Sequence, residues 1–339
     1  MTESSSKASA GEKHQTHHET PDAKRHKPEP ETKQEDATAR EEPAKAEPKQ
    51  EESSKKEPSK EEPSNVLEKG IFYLFVRGRV DTEELEKVDD IARTFILLRP
   101  IGKNAKLGQG PLENSGTTRL LALPKKILPV SGKDRFMAFV EKSGPSYDEL
   151  KTGFLDSEEY ETRTVGKRRT PAATPVGEGV YAITTTGRES HLAYIRTLPE
   201  DPAAVQSELG FKDQGSFVLS TKNPKQDGPA RAQLPEVADY PDEIQDEFKS
   251  LRWLPTKPEH LNYVNAQVLL IGDSSGLDKA VEPEKKEQEK DKAEPMEVLT
   301  RLEEEDLGRM RQLPGGESDS IFADLKARAK DYPKLQTTF

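Results

Sequence analysis

The chain has 339 residues, is 31% hydrophobic and 34% charged, carries a net charge of −11 and contains no cysteine. The missing cysteines exclude disulfides, thiolate metal sites and thiol catalysis, and the polar N-terminus shows no apolar run of the kind that opens a signal peptide. No apolar stretch approaches the ~18 residues of a membrane-spanning helix, so the expectation is a soluble protein of the nucleus, the cytoplasm or both, without a membrane partner.

Residues 1–65 contain no Val, Ile, Leu, Phe, Tyr or Trp. Such a segment cannot offset a backbone ordering cost of ~1–2 kcal/mol per residue, and it reads as a disordered Lys/Glu/Pro-rich tail. Within it, Lys24-Arg25-His26-Lys27 before Pro28 fits a short nuclear-import cluster, with Lys24, Arg25 and Lys27 as its cations; a merely solvated Lys-rich tail is the competing reading. Basic and acidic residues number 12 against 16 over 1–65, 29 against 32 over 66–280, and 11 against 15 over 281–339. The charge is therefore spread evenly, and a nucleic-acid partner finds no support in it.

Order begins at Val66. Gly70 to Val80 is a nearly continuous apolar run, as in a strand covered on both faces. Strands are also predicted over 91–100, 119–124 and 135–141, then a short helix over 146–155 with Ser146 and Glu149 as its capping box. A basic turn, Gly166-Lys-Arg-Arg-Thr170, leads to the clearest element, a β-hairpin over Gly179 to Pro199 with Gly187 in its turn. A helix over 201–209 stopped by Gly210, a strand over 216–221, an amphipathic helix over 241–254 with Ile244, Phe248 and Leu251 on one face, and a strand over 266–272 complete the domain. Residues 281–295 read as a charged linker. Residues 296–339 read as short helices and a docking tail, in which Ile321, Phe322 and Leu325 share a helical face suited to the chain's own domain or to a partner.

These elements predict an α+β fold for 66–280, a mostly antiparallel sheet or partly closed barrel with a few short helices, flanked by disordered tails. Lobes over 66–170 and 171–280 remain an alternative to one domain. Gly272-Asp-Ser-Ser-Gly276 matches a nucleophile elbow, but no histidine follows it in the chain, so a turn is the better reading. His14, His17, His18 and His26 lie in the tail, and the folded region has only His191 and His260. His191 alternates with Ala193 and Ile195 on its strand and reads as a buried structural histidine. No catalytic residue, metal ligand or cofactor is assigned. Arginines punctuate the strands, and convergence of Arg77, Arg79, Arg119, Arg188 and Arg196 with His191 would make an anion-, ligand- or partner-binding surface; pairing with nearby acids is the alternative.

The residues from Thr170 to Tyr194, Ser320-Ile-Phe-Ala-Asp324 and Asp331 to Phe339 resemble a filamentous-fungal family whose members are often labelled "BTB domain transcription factor". The resemblance covers most of 66–339 and implies a nuclear, transcription-associated role without a residue-level mechanism. The residues and the resemblance together point to a non-enzymatic interaction protein with a protein or anionic partner. A ligand-binding protein or enzyme using the arginines and His191 is the alternative. Deleting residues 24–27 is expected to shift a fluorescently tagged chain out of the nucleus, and an unchanged distribution in microscopy would remove the import reading.

Overall fold

Strands that are apolar on both faces need cover on both, and the sheet obtains half of that cover by closing on itself. The computed structural model describes residues 62–164, 166–227, 234–282, 292–313 and 315–339, all within the unit Lys56–Phe339. Its strands are β1 (Val66–Gly78), β2 (Ile91–Ile101), β3 (Arg119–Leu123), β4 (Arg135–Ser143), β5 (Glu158–Thr162), β6 (Gly166–Thr170), β7 (Thr174–Thr185), β8 (Ser190–Leu198), β9 (Gln214–Lys222), β10 (Trp253–Pro255) and β11 (Gln267–Gly272). Eight of them form a closed antiparallel barrel in the order β9-β11-β4-β3-β2-β1-β7-β8, with β8 returning to β9. β10 pairs with the end of β9, and β5 and β6 make a separate two-stranded sheet.

The pairing β1–β7 joins the first half of the folded region to the second inside one barrel, so the two halves are not separate lobes. The predicted hairpin is β7–β8, in register from Thr185↔Ser190 to Glu178↔Leu198 with one shift at Glu178/Gly179. Every barrel strand sends alternate residues inward, among them Phe72, Leu74, Ile96, Leu121, Val140, Tyr181, Tyr194, Phe217 and Leu270. Gly179 leaves the space that Phe72 fills: a Cβ there would lie 2.6 Å from the Phe72 ring and 2.4 Å from the Ile195 carbonyl oxygen.

A second core lies outside the barrel, over β1, β2, β3, β7 and β8. Its cover comes from α1 (Tyr147–Leu150), which runs on into a wider turn over Lys151–Leu155, and from the C-terminal segment. Ser146 and Glu149 form the predicted capping box, with Ser146 N–H donating to Glu149 at 2.7 Å and Glu149 N–H donating to Ser146 Oγ at 3.2 Å. α2 (Ala204–Leu209) ends at Gly210, whose φ of 76° is the left-handed cap that the sequence predicts. α3 (Asp242–Phe248) is shorter than expected, because Lys249 takes φ 49° and the chain turns into β10. Ile244 and Phe248 are buried, but Leu251 lies past the helix end and is exposed.

The largest departure is at the C-terminus. α4 (Pro295–Met310) runs through Gly308 without a break, and α5 (Glu317–Asp324) buries Ile321 and Phe322, followed by Leu325, against the outer face of the barrel. In its last turns α4 also buries Asp306 and Arg309, charged residues that the sequence reading did not place in a core. Arg309 donates to Asp324 at 2.7 and 2.8 Å, to Asp306 at 2.7 and 3.1 Å and to Glu178 of β7 at 2.7 Å, with all four side chains fully buried. Tyr73 of β1 donates to Asp324 at 2.6 Å and Thr197 of β8 to Asp306 at 2.8 Å, while Arg99 of β2 donates to the Asp324 carbonyl. Lys24, Arg25 and Lys27 and most of the predicted 281–295 linker lie outside the described residues.

Burial, reinforced by the nearby Asp306 and Asp324, pushes the Glu178 carboxyl well up, and burial likewise raises Asp306 against its bond to Arg309. With its Oε2 unpartnered, Glu178 is the carboxyl whose charge the cluster compensates least. A carboxyl raised in the folded state contributes stability that is complete below its unfolded value near 4.5 and lost as pH rises through the folded value. Glu178→Gln removes that titration. The melting temperature of the wild type should therefore fall relative to the variant as pH rises above about 4.5; a difference independent of pH in differential scanning fluorimetry would refute the upward shift of the Glu178 carboxyl.

Candidate functional site

The structure disperses the predicted arginines. Arg77, in β1, faces outward, lies 5.4 Å from the centroids of the Phe95 and Phe154 rings and donates to the Phe154 carbonyl. Arg79 lies beyond the end of β1, exposed in the following turn, so it does not share a strand face with Arg77. Arg119 points into the barrel end, where it donates to both Glu68 oxygens at 2.7 Å and to Asn262 at 2.9 Å, and Tyr181 donates to the same Glu68 at 2.8 Å. Arg196 is buried against Asp213 and the Pro199 carbonyl. Arg188 sits exposed in the β7–β8 turn. No shared anion surface results, because Arg77, Arg119 and Arg196 already hold strand ends to loops.

His191 lies on the outer face of β8, fully buried, with neither ring nitrogen hydrogen-bonded. Glu189 and Asp273 approach its nitrogens only to 3.8 and 3.9 Å, and burial lowers its pKa, so it stays neutral. Asp273 is engaged elsewhere: its Oδ1 accepts from Ser275 N–H at 2.9 Å and Ser275 Oγ at 2.6 Å. The Gly272–Gly276 stretch is thus an Asp-closed turn after β11, in which the hydroxyl bonded to Asp273 is that of Ser275, one residue past the nucleophile position of the elbow pattern, Ser274. Ile321, Phe322 and Leu325 cover the barrel itself, and Phe322 stacks on Tyr332 at 5.1 Å.

Two features missed by the sequence reading remain. The first is the β5–β6 ribbon, in which the basic run expected as a turn is a strand. Glu159 opposes Arg169, Tyr160 opposes Arg168 and Glu161 opposes Lys167, so each strand neutralises the other and both become extended. Asp81 caps the far side of β6, accepting from the Arg169 N–H at 3.0 Å and donating its own N–H to the Arg169 carbonyl at 2.9 Å. β5 pairs only with β6 among the described strands, and Glu158, Glu159, Tyr160 and Glu161 are exposed. The signal was present as an acidic pentad facing a basic one across a three-residue link, a charge pattern in place of an apolar one.

The second is a cleft of about 490 Å³ at one end of the barrel, with an apolar wall that includes Leu67, Leu254 and Pro258 and with Glu247, Lys257 and Glu259 at its side. A 3-10 turn (Pro258–Asn262) brings His260 under α3, where its ring stacks on Phe248 at 5.9 Å. The ring is fully buried, and burial lowers its pKa against the pull of Glu247. Lys257 Nζ lies 2.7 Å from Glu247 and 3.4 Å from Glu259. Burial works against the Glu247 charge, but Lys257 and His260 outweigh it and hold the carboxyl below its ordinary value. One oxygen each from Glu247 and Glu259 and one nitrogen of His260 lie within 4.8 Å of one another, so these three residues could hold a metal ion. The set is spread over α3 and the 258–262 turn, with no ligand spacing to reveal it.

No helix among the described residues is long and apolar enough to cross a membrane. Searches against family models, curated proteins and solved structures return no match.

Replacing His191 by Phe removes two buried ring nitrogens that lack partners, each a cost of about 1–3 kcal/mol to a folded state. The variant is expected to be as stable as the wild type or more so in urea denaturation. A loss of more than about 1 kcal/mol would show that the imidazole makes a bond the fold relies on.

Proposed function

We infer that the chain is a non-enzymatic interaction protein whose folded unit recruits a protein partner through the open edge of β5. The observation that carries this reading is the ribbon itself: a strand of exposed residues with one edge paired and, among the described residues, no strand on the other. An edge strand presents unpaired backbone N–H and C=O groups in the spacing of another strand, and an extended segment can add to it.

The side chains select the occupant. With Glu158, Glu159 and Glu161 in five residues, β5 repels the same strand of a second copy and favours an extended segment rich in Lys or Arg. Exposed Tyr160 supplies an aromatic contact on the face opposite Glu159 and Glu161. The anion-binding side of the sequence expectation has less support, since three of the arginines nominated for it hold structural bonds. A nuclear, transcription-associated setting, as the family resemblance implies, belongs to the same proposal.

A fluorescent peptide of alternating Lys and Val tests it. Anisotropy should show binding that weakens with salt and falls by roughly tenfold or more in a Glu159→Lys/Glu161→Lys variant. Affinity unchanged by the charge reversal would overturn the assignment of this edge.

A further inference from the structure

We propose that Glu247, Glu259 and His260 form a binding site for a divalent transition-metal ion at the barrel-end cleft, a site independent of the ribbon reading.

Three observations converge on it. His260 is fully buried, yet its Nε2 has no hydrogen-bond partner and lies 3.6 Å from Glu247 Oε2. That separation is close to the roughly 3.4 Å edge of a tetrahedron with metal–ligand bonds of about 2.1 Å. Second, a cation already occupies the neighbourhood: the Lys257 ammonium bridges Glu247 and Glu259. Two carboxylates and one ammonium leave one negative charge, whereas a divalent ion would neutralise the pair completely. Third, Glu259 and Lys257 are about half exposed, so Glu259 can close the remaining distance while Lys257 swings out to water.

The surroundings also suit an imidazole ligand. Its Nδ1 lies 3.1 Å from Thr221 Oγ1, which is 2.9 Å from Thr256 Oγ1. A metal on Nε2 places the ring proton on Nδ1, which then donates to Thr221, and Thr221 passes its own hydrogen to Thr256. Such an outer hydrogen bond fixes the ring and raises its basicity. Without metal, the Lys257 backbone N–H donates to Nδ1 at 3.3 Å and Nε2 carries the proton toward Glu247, so binding exchanges one tautomer for the other and trades the Lys257 N–H bond for the one to Thr221. One imidazole with two carboxylates favours ions such as Zn²⁺, Co²⁺ or Mn²⁺ over purely oxygen-bound Mg²⁺ or Ca²⁺. Three protein ligands leave at least one position of the ion open to water or to a ligand in the cleft.

The test uses Co²⁺, whose absorption bands report coordination, on the full chain carrying His14→Gln, His17→Gln, His18→Gln and His26→Gln so that tail histidines do not bind. The expected result is one equivalent bound and displaced by Zn²⁺, weakened roughly tenfold or more by Glu247→Gln or Glu259→Gln. Lys257→Met, which removes the competing ammonium, should tighten it. The three substitutions sit at half-buried or exposed positions, and circular dichroism checks that each variant folds. His260→Gln should abolish binding if it folds; the carboxylate variants carry the test if it does not. Absence of Co²⁺ absorption bands at about millimolar metal, or binding unaltered in both glutamate variants, would overturn the site.

Discussion

The Arg309 guanidinium is shut off from solvent, so the segments it joins must meet its charge. Glu178 comes from the barrel, Asp306 from its own helix and Asp324 from the next, while Tyr73, Thr197 and Arg99 donate to further acceptors of the two aspartates. Removing one partner from such a cluster costs about 3–5 kcal/mol, because the others stay buried and unpaired. α4 and α5 therefore cannot lie elsewhere without exposing an apolar sheet face and also stranding these charges. This constraint makes the C-terminal segment part of the barrel domain instead of a tail beside it.

The charge balance of the cluster explains its chemistry. Three carboxyls face two guanidiniums, and the imbalance falls most on Glu178, whose carboxyl burial and the neighbouring Asp306 and Asp324 push well up and whose Oε2 has no partner. Arg119 with Glu68, and Arg196 with Asp213, repeat the pattern at smaller scale where strands meet loops. Charged residues inside the strands thus serve register and closure. The surfaces left for recognition are ones where side chains neutralise each other at the exterior: the β5–β6 ribbon and the Glu247–Lys257–Glu259 rim.

Much of the fold was legible because its signals are local. Ser146 with Glu149, the Gly210 cap, the β7–β8 hairpin and the two-sided apolar run of β1 depend on near neighbours, and each appears where the residues predict it. The β5–β6 ribbon was hidden because opposite charges, and not alternating apolar residues, make it extend. Leu251 was misplaced because the turn at Lys249 ends the helix, an event set by the packing of β10 on β9.

By itself, the amino-acid sequence determined the fold class, the absence of thiol chemistry and the identity of most strands, since composition and periodicity act within a few residues. Only the tertiary structure decided that the strands close into one barrel and that the arginines are spent on separate loops. It alone also decided that Asp306 and Arg309 are buried and that Glu247, Glu259 and His260 meet. Each of these depends on which distant segment arrives to share a charge or cover a face, and pairing energy of that kind leaves no trace in spacing along the chain.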